Sequence, residues 1–393
     1  MTDPTRMTDQ TRVSCESALP ALLRCVGDEG EFLSRYWAQR PLLRRGRSAH
    51  GFADLLTLAD VDELVTASGL RTPAFRLVKA GAPLAPSSYT STAAISGVPI
   101  TGLADARKVL AAIDDGATLV LQGMHRYRPA LRTFCADLEQ RLGCPVQVNA
   151  YVTPPGSRGL AVHEDSHDVF VLQCLGSKRW EIHAPDGVWD IVLEPGDALY
   201  MPRGTPHAAT AQEALSGHLT IGLLTEAVRD VLAEAVRELL ADESFGERLP
   251  VGWQDDPDLL APLLREHLGR LVAGLGATDV TAIASRRADR FLTQRPSSLL
   301  GSLVDRSRLA ALGQDSRVCR RRGSVAAVRV EGERLRLLLG DRELLMPAWV
   351  EPALRCLADG TEHVVRDLPG VDQRSKLVLA GRLVREGLLE VRG

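Results

Sequence analysis

The chain has 393 residues, 45% of them hydrophobic and 25% charged, with a formal net charge of -3 at neutral pH. That length suits two or three domains with at least one sizeable core, in an ordinary globular composition. The charge balance carries no global nucleic-acid or membrane signature, no apolar run approaches the roughly 18 residues of a membrane span, and the N-terminus lacks the apolar core of a secretion signal. Seven scattered cysteines without a C-x-x-C pair argue against a disulfide framework and a cysteine zinc site. They fit a reducing, cytoplasmic setting. Basic residues are almost all arginine: lysine stands only at 79, 108, 178 and 376, and asparagine only at 149.

The polar start, a near-duplication of Met1–Arg6 in Met7–Arg12, reads as a disordered tail over residues 1–17. Helical patterns dominate from about Ala18 to Leu64, including Glu31–Gln39. Residues 65–100 are mixed, with loops around Gly81–Thr92. Leu103–Ile113 and Ala130–Leu142 have amphipathic helical spacing. Strand patterns then crowd together: Val146–Val152, Asp168–Leu175, Arg179–His183, Asp190–Leu193, Ala198–Pro202 and Gly217–Leu224. Short strands punctuated by Gly and Pro turns predict an antiparallel barrel or jelly roll. After Thr225 the pattern returns to helix at Glu226–Leu240, Leu259–Leu275 and Thr278–Leu292. From about Arg317 a second α+β unit follows. It has strands at Ser324–Val330, Arg334–Leu339 and Leu388–Val391, and helices near Trp349–Leu357 and Arg374–Glu386.

Within the strand-rich stretch, His163-Glu164-Asp165 is followed by Pro206-His207. Two histidines and one carboxylate on one face of an octahedral metal leave the other positions open for a co-substrate and dioxygen, as in non-haem iron oxygenases. On a strand, residues i and i+2 project to one side. His163 and Asp165 therefore share one ion in this reading, with His207 arriving from a neighbouring strand. His167 keeps a different ligand set open. His183 and His218 are the other competing histidines, and Asp168 and Gln173 read as supports of the strand.

Five spaced blocks carry a family resemblance: Asn149–Gly156, His163-x-Asp165 through Gln173, Gly176-Ser-Lys178-Arg-Trp180, Pro195–His207 and His218–Gly222. With Tyr36–Arg44 and Leu121–Arg126 they resemble the JmjC-type cupin ribosomal oxygenases. The resemblance implies a mixed α+β fold: a double-stranded β-helix (the cupin/JmjC jelly roll), then a helical dimerisation segment and a C-terminal winged-helix domain. The corresponding boundaries are 18–225, 226–310 and 311–393. It implies Fe(II) held by His163, Asp165 and His207, with 2-oxoglutarate and O2 as co-substrates. Lys178 takes the position where the family binds the distal carboxylate of 2-oxoglutarate. Asn149, Tyr151 and Thr220 fall on strands lining the same cavity and are candidate co-substrate contacts. The resemblance departs at Thr205, where the family often carries a bulky residue, and at Cys174 in an otherwise aliphatic strand.

The implied activity is hydroxylation of a protein side chain, a ribosomal-protein arginine or histidine, by a homodimer that needs neither membrane nor sequence-specific DNA. A small-molecule or peptide hydroxylase using the same iron and 2-oxoglutarate chemistry is the competing reading. A non-catalytic winged-helix binding protein comes third, suggested by Arg317 and Arg320–Arg322.

Overall fold

The computed structural model describes residues 19–46, 51–157 and 161–392. The expected tail at 1–17 lies outside them. The first half contains β1 (Leu42–Arg44), β2 (Phe75–Lys79), β3 (Ala82–Pro83), β4 (Thr90–Ile95), β5 (Val98–Ala104), β6 (Thr118–Leu121) and β7 (Val146–Thr153). Between and before these strands run α1 (Ala21–Val26), α2 (Glu29–Arg35), α3 (Leu58–Thr66), α4 (Ala106–Asp114) and α5 (Pro129–Leu142). Six strands follow: β8 (Asp168–Leu175), β9 (Lys178–Ala184), β10 (Gly187–Leu193), β11 (Ala198–Met201), β12 (His207–Ala211) and β13 (Ser216–Leu223).

Apart from β4 and β5, which pair with each other, these strands build two facing antiparallel sheets. The larger has the order β1-β11-β8-β13-β7-β6-β2-β3 and the smaller β10-β9-β12. The pairing is antiparallel throughout, as expected of a jelly roll. Period-two alternation assigns two jobs to β8. Val169 and Val171 face the small sheet and pack with Trp180, Ile182, Leu199 and Met201. Phe170, Leu172 and Cys174 face the other way, into a core shared with α1, α3 and α5. Both faces of β8 are thus buried, which explains its almost unbroken apolar run. Cys174 fits that outer core as a small apolar residue, and burial pushes its thiol up to about 12.

Residues 65–100, expected to be mixed with loops around Gly81–Thr92, contain β2 to β4 and the start of β5. In Phe75–Lys79 inward and outward residues alternate too briefly to stand out against the surrounding Gly and Pro. The helix expected from Leu103 starts at Ala106, because Asp105 caps it by accepting from the Lys108 N–H while Leu103 stays in β5.

Beyond the jelly roll come α6 (Val228–Leu240), α7 (Ala261–Gly276), α8 (Val280–Thr293) and α9 (Ser302–Arg308). None of the helices is long and apolar enough to cross a membrane. The C-terminal unit adds β14 (Arg317–Arg320), β15 (Ala327–Glu331), β16 (Arg334–Leu339), β17 (Arg342–Pro347), β18 (Glu362–Val364) and β19 (Leu389–Arg392), with α10 (Glu351–Ala358) and α11 (Gln373–Arg385). It has its own core around Leu337, Leu354 and Leu383. Three of its strands, β14, β17 and β18, lie outside the strand patterns read from the sequence. Arg317, Cys319 and Glu343 give them a mixed composition.

Candidate metal and dicarboxylate site

His163, Asp165 and His207 converge. One ligand atom from each lies within 4.8 Å of the others, and among the described residues no other group of three His, Cys, Asp or Glu does so. The route differs from the sequence reading. His163 and Asp165 do not share a regular strand. His163 makes an isolated bridge to His207, with both backbone N–H groups donating across it at 3.1 and 2.9 Å. Asp165 sits in the irregular connection that follows, where its carbonyl accepts from the Gly204 N–H at 2.9 Å. Pairing, rather than i/i+2 alternation, brings the ligands together.

The two imidazoles are oriented alike. Nδ1 of His163 lies 2.9 Å from the Ala161 carbonyl, and Nδ1 of His207 lies 2.9 Å from the Thr205 carbonyl. A carbonyl only accepts, so each Nδ1 carries the proton and each Nε2 keeps its lone pair. This backbone support fixes ring orientation and raises ligand basicity. Burial, partly offset by the Thr205 carbonyl, holds His207 below its ordinary imidazole value. It is therefore neutral, the form a metal requires. His207 Nε2 stands 3.8 Å from Asp165 Oδ2.

Asp168, expected as a support, anchors the turn that delivers His207. Its buried carboxylate accepts from Tyr200 OH at 2.7 Å and from the Arg203 N–H at 2.8 Å, while Tyr200 OH accepts from the Ala38 N–H. Gln173 is a support as well. Its amide donates to the Leu175 and Gly176 carbonyls and to Ser216 Oγ, bracing the turn before β9. His167 precedes β8, packs against Gly222 and is not one of the three converging groups. His183 points to Glu181 on the exposed face of β9.

A cavity with about 580 Å³ of empty space opens beside the triad, lined by Tyr151, Lys178, Trp180, His218 and Thr220 among others. Lys178 is 2% exposed. Its ammonium donates to Thr153 Oγ1 at 3.0 Å, and Thr153 in turn accepts from Thr118 at 3.2 Å. Among the described residues no carboxylate pairs with it, and burial pushes it down to about 7. A buried cation without an anion is costly. The arrangement fits a ligand that brings its own carboxylate. Tyr151 stacks on His218 with ring centroids 5.0 Å apart. Burial first, then Lys178 and His207, keeps His218 well below its ordinary value and so uncharged.

Thr220 lines this cavity as expected, whereas Asn149 is not among its walls. Asn149 Oδ1 accepts from the Gly123 N–H and holds the 123–126 turn against β7. Two residues were given no part in the site from the sequence. Trp180 packs in the core between the two sheets and also lines the cavity, 5.9 Å from the His207 ring, with its Nε1–H buried without an acceptor. Arg76 lies in register with Val120, which pairs with Tyr151, so it shares the inward face of the large sheet. Its Nε is buried without a hydrogen bond. The alternation Arg76, Val78 against Phe75, Leu77 was the signal available for it.

Two imidazoles with free Nε2 atoms and a carboxylate suit Fe(II) with open positions, and a buried ammonium without a carboxylate partner among the described residues suits a dicarboxylate.

Comparison with known proteins agrees with this chemistry. The JmjC domain family matches residues 121–188 and 183–231. The bifunctional lysine-specific demethylase and histidyl-hydroxylase NO66 of Drosophila persimilis is 30% identical over 245 residues, covering 56% of this chain and 33% of that protein. The same-named protein of Aedes aegypti is 26% identical over 223 residues, covering 49% and 32%. The chain thus spans about a third of the length of the curated relatives it matches. Among solved structures, the Escherichia coli ribosomal oxygenase YcfD in complex with cobalt and 2-oxoglutarate superposes with a TM-score of 0.52 at 18% identity, over 93% of this chain and 98% of that one. This likeness shows a shared fold. The chain thus contains a region, residues 121–231, that matches the JmjC domain, and the triad and the buried lysine lie within it.

Proposed function

We propose that the protein is an Fe(II)- and 2-oxoglutarate-dependent dioxygenase that hydroxylates a side chain of a ribosomal protein, with histidine favoured over arginine. One observation carries the catalytic reading. A triad of metal-ligating atoms within 4.8 Å and a buried ammonium without a counter-ion share one cavity. When bound, iron and 2-oxoglutarate supply the oxidation: O2 is consumed, succinate and CO2 are released, and a substrate C–H gains oxygen. His163, Asp165 and His207 hold the metal. Lys178, with Thr153, holds the distal carboxylate. Tyr151 and Thr220 offer hydroxyls to the co-substrate, and Val171, Met201 and Ala209 keep water from the reacting face.

The preference for histidine follows from the charges. An arginine substrate needs a carboxylate to pair its guanidinium. Among the described residues Asp165, itself a ligand in this reading, is the only carboxylate on the cavity wall, while Lys178 adds positive charge to it and Arg76 shares the inward sheet face. A neutral imidazole enters without an unpaired charge. The fly and mosquito relatives are named histidyl-hydroxylases, in line with this.

The helical segment α6–α8 serves as a dimerisation region in this reading, and the C-terminal unit as a winged helix that contacts protein. The exposed Val228, Val272 and Val280 support the first. A peptide or small-molecule substrate remains the alternative that the small Thr205 leaves room for.

The test is oxygen-dependent conversion of 2-oxoglutarate to succinate with Fe(II) and ribosomes, read together with mass spectrometry of ribosomal proteins. Succinate and one added oxygen on a histidine peptide, both lost in His207→Ala, are the expected result. Succinate without a modified protein transfers the substrate to small molecules. No succinate from folded, iron-loaded protein overturns the catalytic reading.

A further inference from the structure

A second concavity lies away from the metal site, between the start of α5 and the connection from α8 to α9. One wall is the segment His125–Thr133, which enters α5, and the other is Pro296–Leu300. The groove encloses about 1050 Å³ of open space and is lined mostly by apolar surface. Its charged lining is entirely basic: Arg126, Arg128 and Arg132, with His125 beside them. Arg128 pairs with Asp60 at 2.7 Å. Arg126 is exposed and Arg132 donates to the Pro296 carbonyl. Among the described residues neither has a carboxylate partner. The two guanidiniums reach His125, where burial and then their charge keep the imidazole below its ordinary value.

Two further features fit an anionic chain. The first turn of the 14-residue α5 borders the groove with Pro129 at its start and no side-chain cap. Its N–H groups and dipole therefore add to the positive field. Ser298 on the opposite wall donates to the carbonyl of Arg322, whose residue is exposed. Arg321, by contrast, is buried against Asp305. Tyr127, 42% exposed, stands between Arg126 and Arg128.

We infer that this groove binds single-stranded RNA. Cations without acids supply phosphate contacts, and an exposed tyrosine flanked by apolar walls supplies a surface on which a base stacks. Together these form the usual platform for sequence-tolerant single-strand binding. An acidic peptide would use the arginines but leave Tyr127 and the apolar floor without a role. The inference is independent of the catalytic reading, because it uses no residue of the metal cavity.

The experiment uses the full chain and a fluorescein-labelled oligouridylate in anisotropy titrations across salt concentrations, with oligoglutamate as competitor. Saturable binding at about 50 mM salt is expected, with a log–log salt slope that falls by about 0.7 for each phosphate contact removed. Arg126→Glu, on an exposed side chain, lowers both affinity and slope. Tyr127→Ala weakens binding roughly five- to a hundred-fold with the slope unchanged. Succinate formation from 2-oxoglutarate without added substrate, equal in wild type and variants, certifies the fold and stands or falls separately. Three outcomes overturn the inference: no binding by wild type, full affinity in Arg126→Glu, or competition by oligoglutamate as strong as by unlabelled RNA.

Discussion

Replacing Lys178 by methionine should make the ligand-free protein more stable while removing its response to 2-oxoglutarate. Lys178 is buried, hydrogen-bonded among the described residues only to Thr153, and pushed down from 10.5 to about 7. At 1.36 kcal/mol per pH unit, holding the amine in this environment costs the empty fold about 4 kcal/mol at pH 7. Methionine has a similar volume and no charge to desolvate. It forfeits the hydrogen bond to Thr153, worth about 1 kcal/mol. The net gain is roughly 2–3 kcal/mol. The pH dependence has a definite sign. Between about 7 and 10.5 the unfolded chain carries the lysine proton and the folded chain does not, so wild-type stability rises with pH across that window and is lowest below it. Methionine removes this slope. Binding shows the converse. A carboxylate restores the ammonium, so 2-oxoglutarate binding at pH 8 takes up about 0.9 proton. That uptake is measured by titration calorimetry with Mn(II) in buffers of different ionisation enthalpy. In Lys178→Met the uptake vanishes and affinity falls about a hundred-fold or more. The reasoning is refuted by a variant less stable than wild type when empty, or by one that still binds 2-oxoglutarate tightly.

Asp168→Asn leaves either Tyr200 OH or the Arg203 N–H without its acceptor. Stability should drop by about 1–3 kcal/mol, and metal affinity by about ten- to a hundred-fold in a competitive chelator titration, because the turn carrying His207 loosens. Gly176→Ala meets a left-handed backbone (φ +54°), and its Cβ would collide with the Leu215 carbonyl. It should lower stability in urea by about 2 kcal/mol or more and weaken 2-oxoglutarate binding, because Lys178 follows that turn. Trp180→Phe removes the buried indole N–H that has no acceptor. The empty protein should be as stable as wild type within about 1 kcal/mol, while any ligand that accepts from Nε1 binds less tightly.

The jelly roll was legible because its strands are short, alternating and separated by Gly and Pro. β8 was read residue for residue as Asp168–Leu175. Legibility failed where a strand's composition is set by neighbours far along the chain. β2 borders β6, over 40 residues later, and β14 lies between β18 and β19, so their burial depends on partners no local window contains. Helix ends were misplaced by a few residues for the opposite reason. The caps are local but are decided by single side chains such as Asp105.

The site shows the same division between chemistry and placement. The converging trio could be read, since few residue types ligate a metal and their order along the chain was distinctive. Geometry could not. The i/i+2 argument put His163 and Asp165 on one strand face, whereas a two-residue bridge to His207 and a carbonyl contact to Gly204 do the work. Lys178 illustrates what burial adds. In sequence it is a lysine next to a Gly-Ser turn, where solvent is the ordinary expectation. In the fold it is the first inward residue of β9, paired in register with Ala211 and closed over by Thr153 and His218. Asn149 and Arg76 show the limit from both sides. One is polar and sits in the motif, yet braces a loop. The other lies outside every motif and still brings a second positive charge to the cavity face. The motif therefore points to the converging trio, while Arg76 reaches the same sheet face through alternation and register alone.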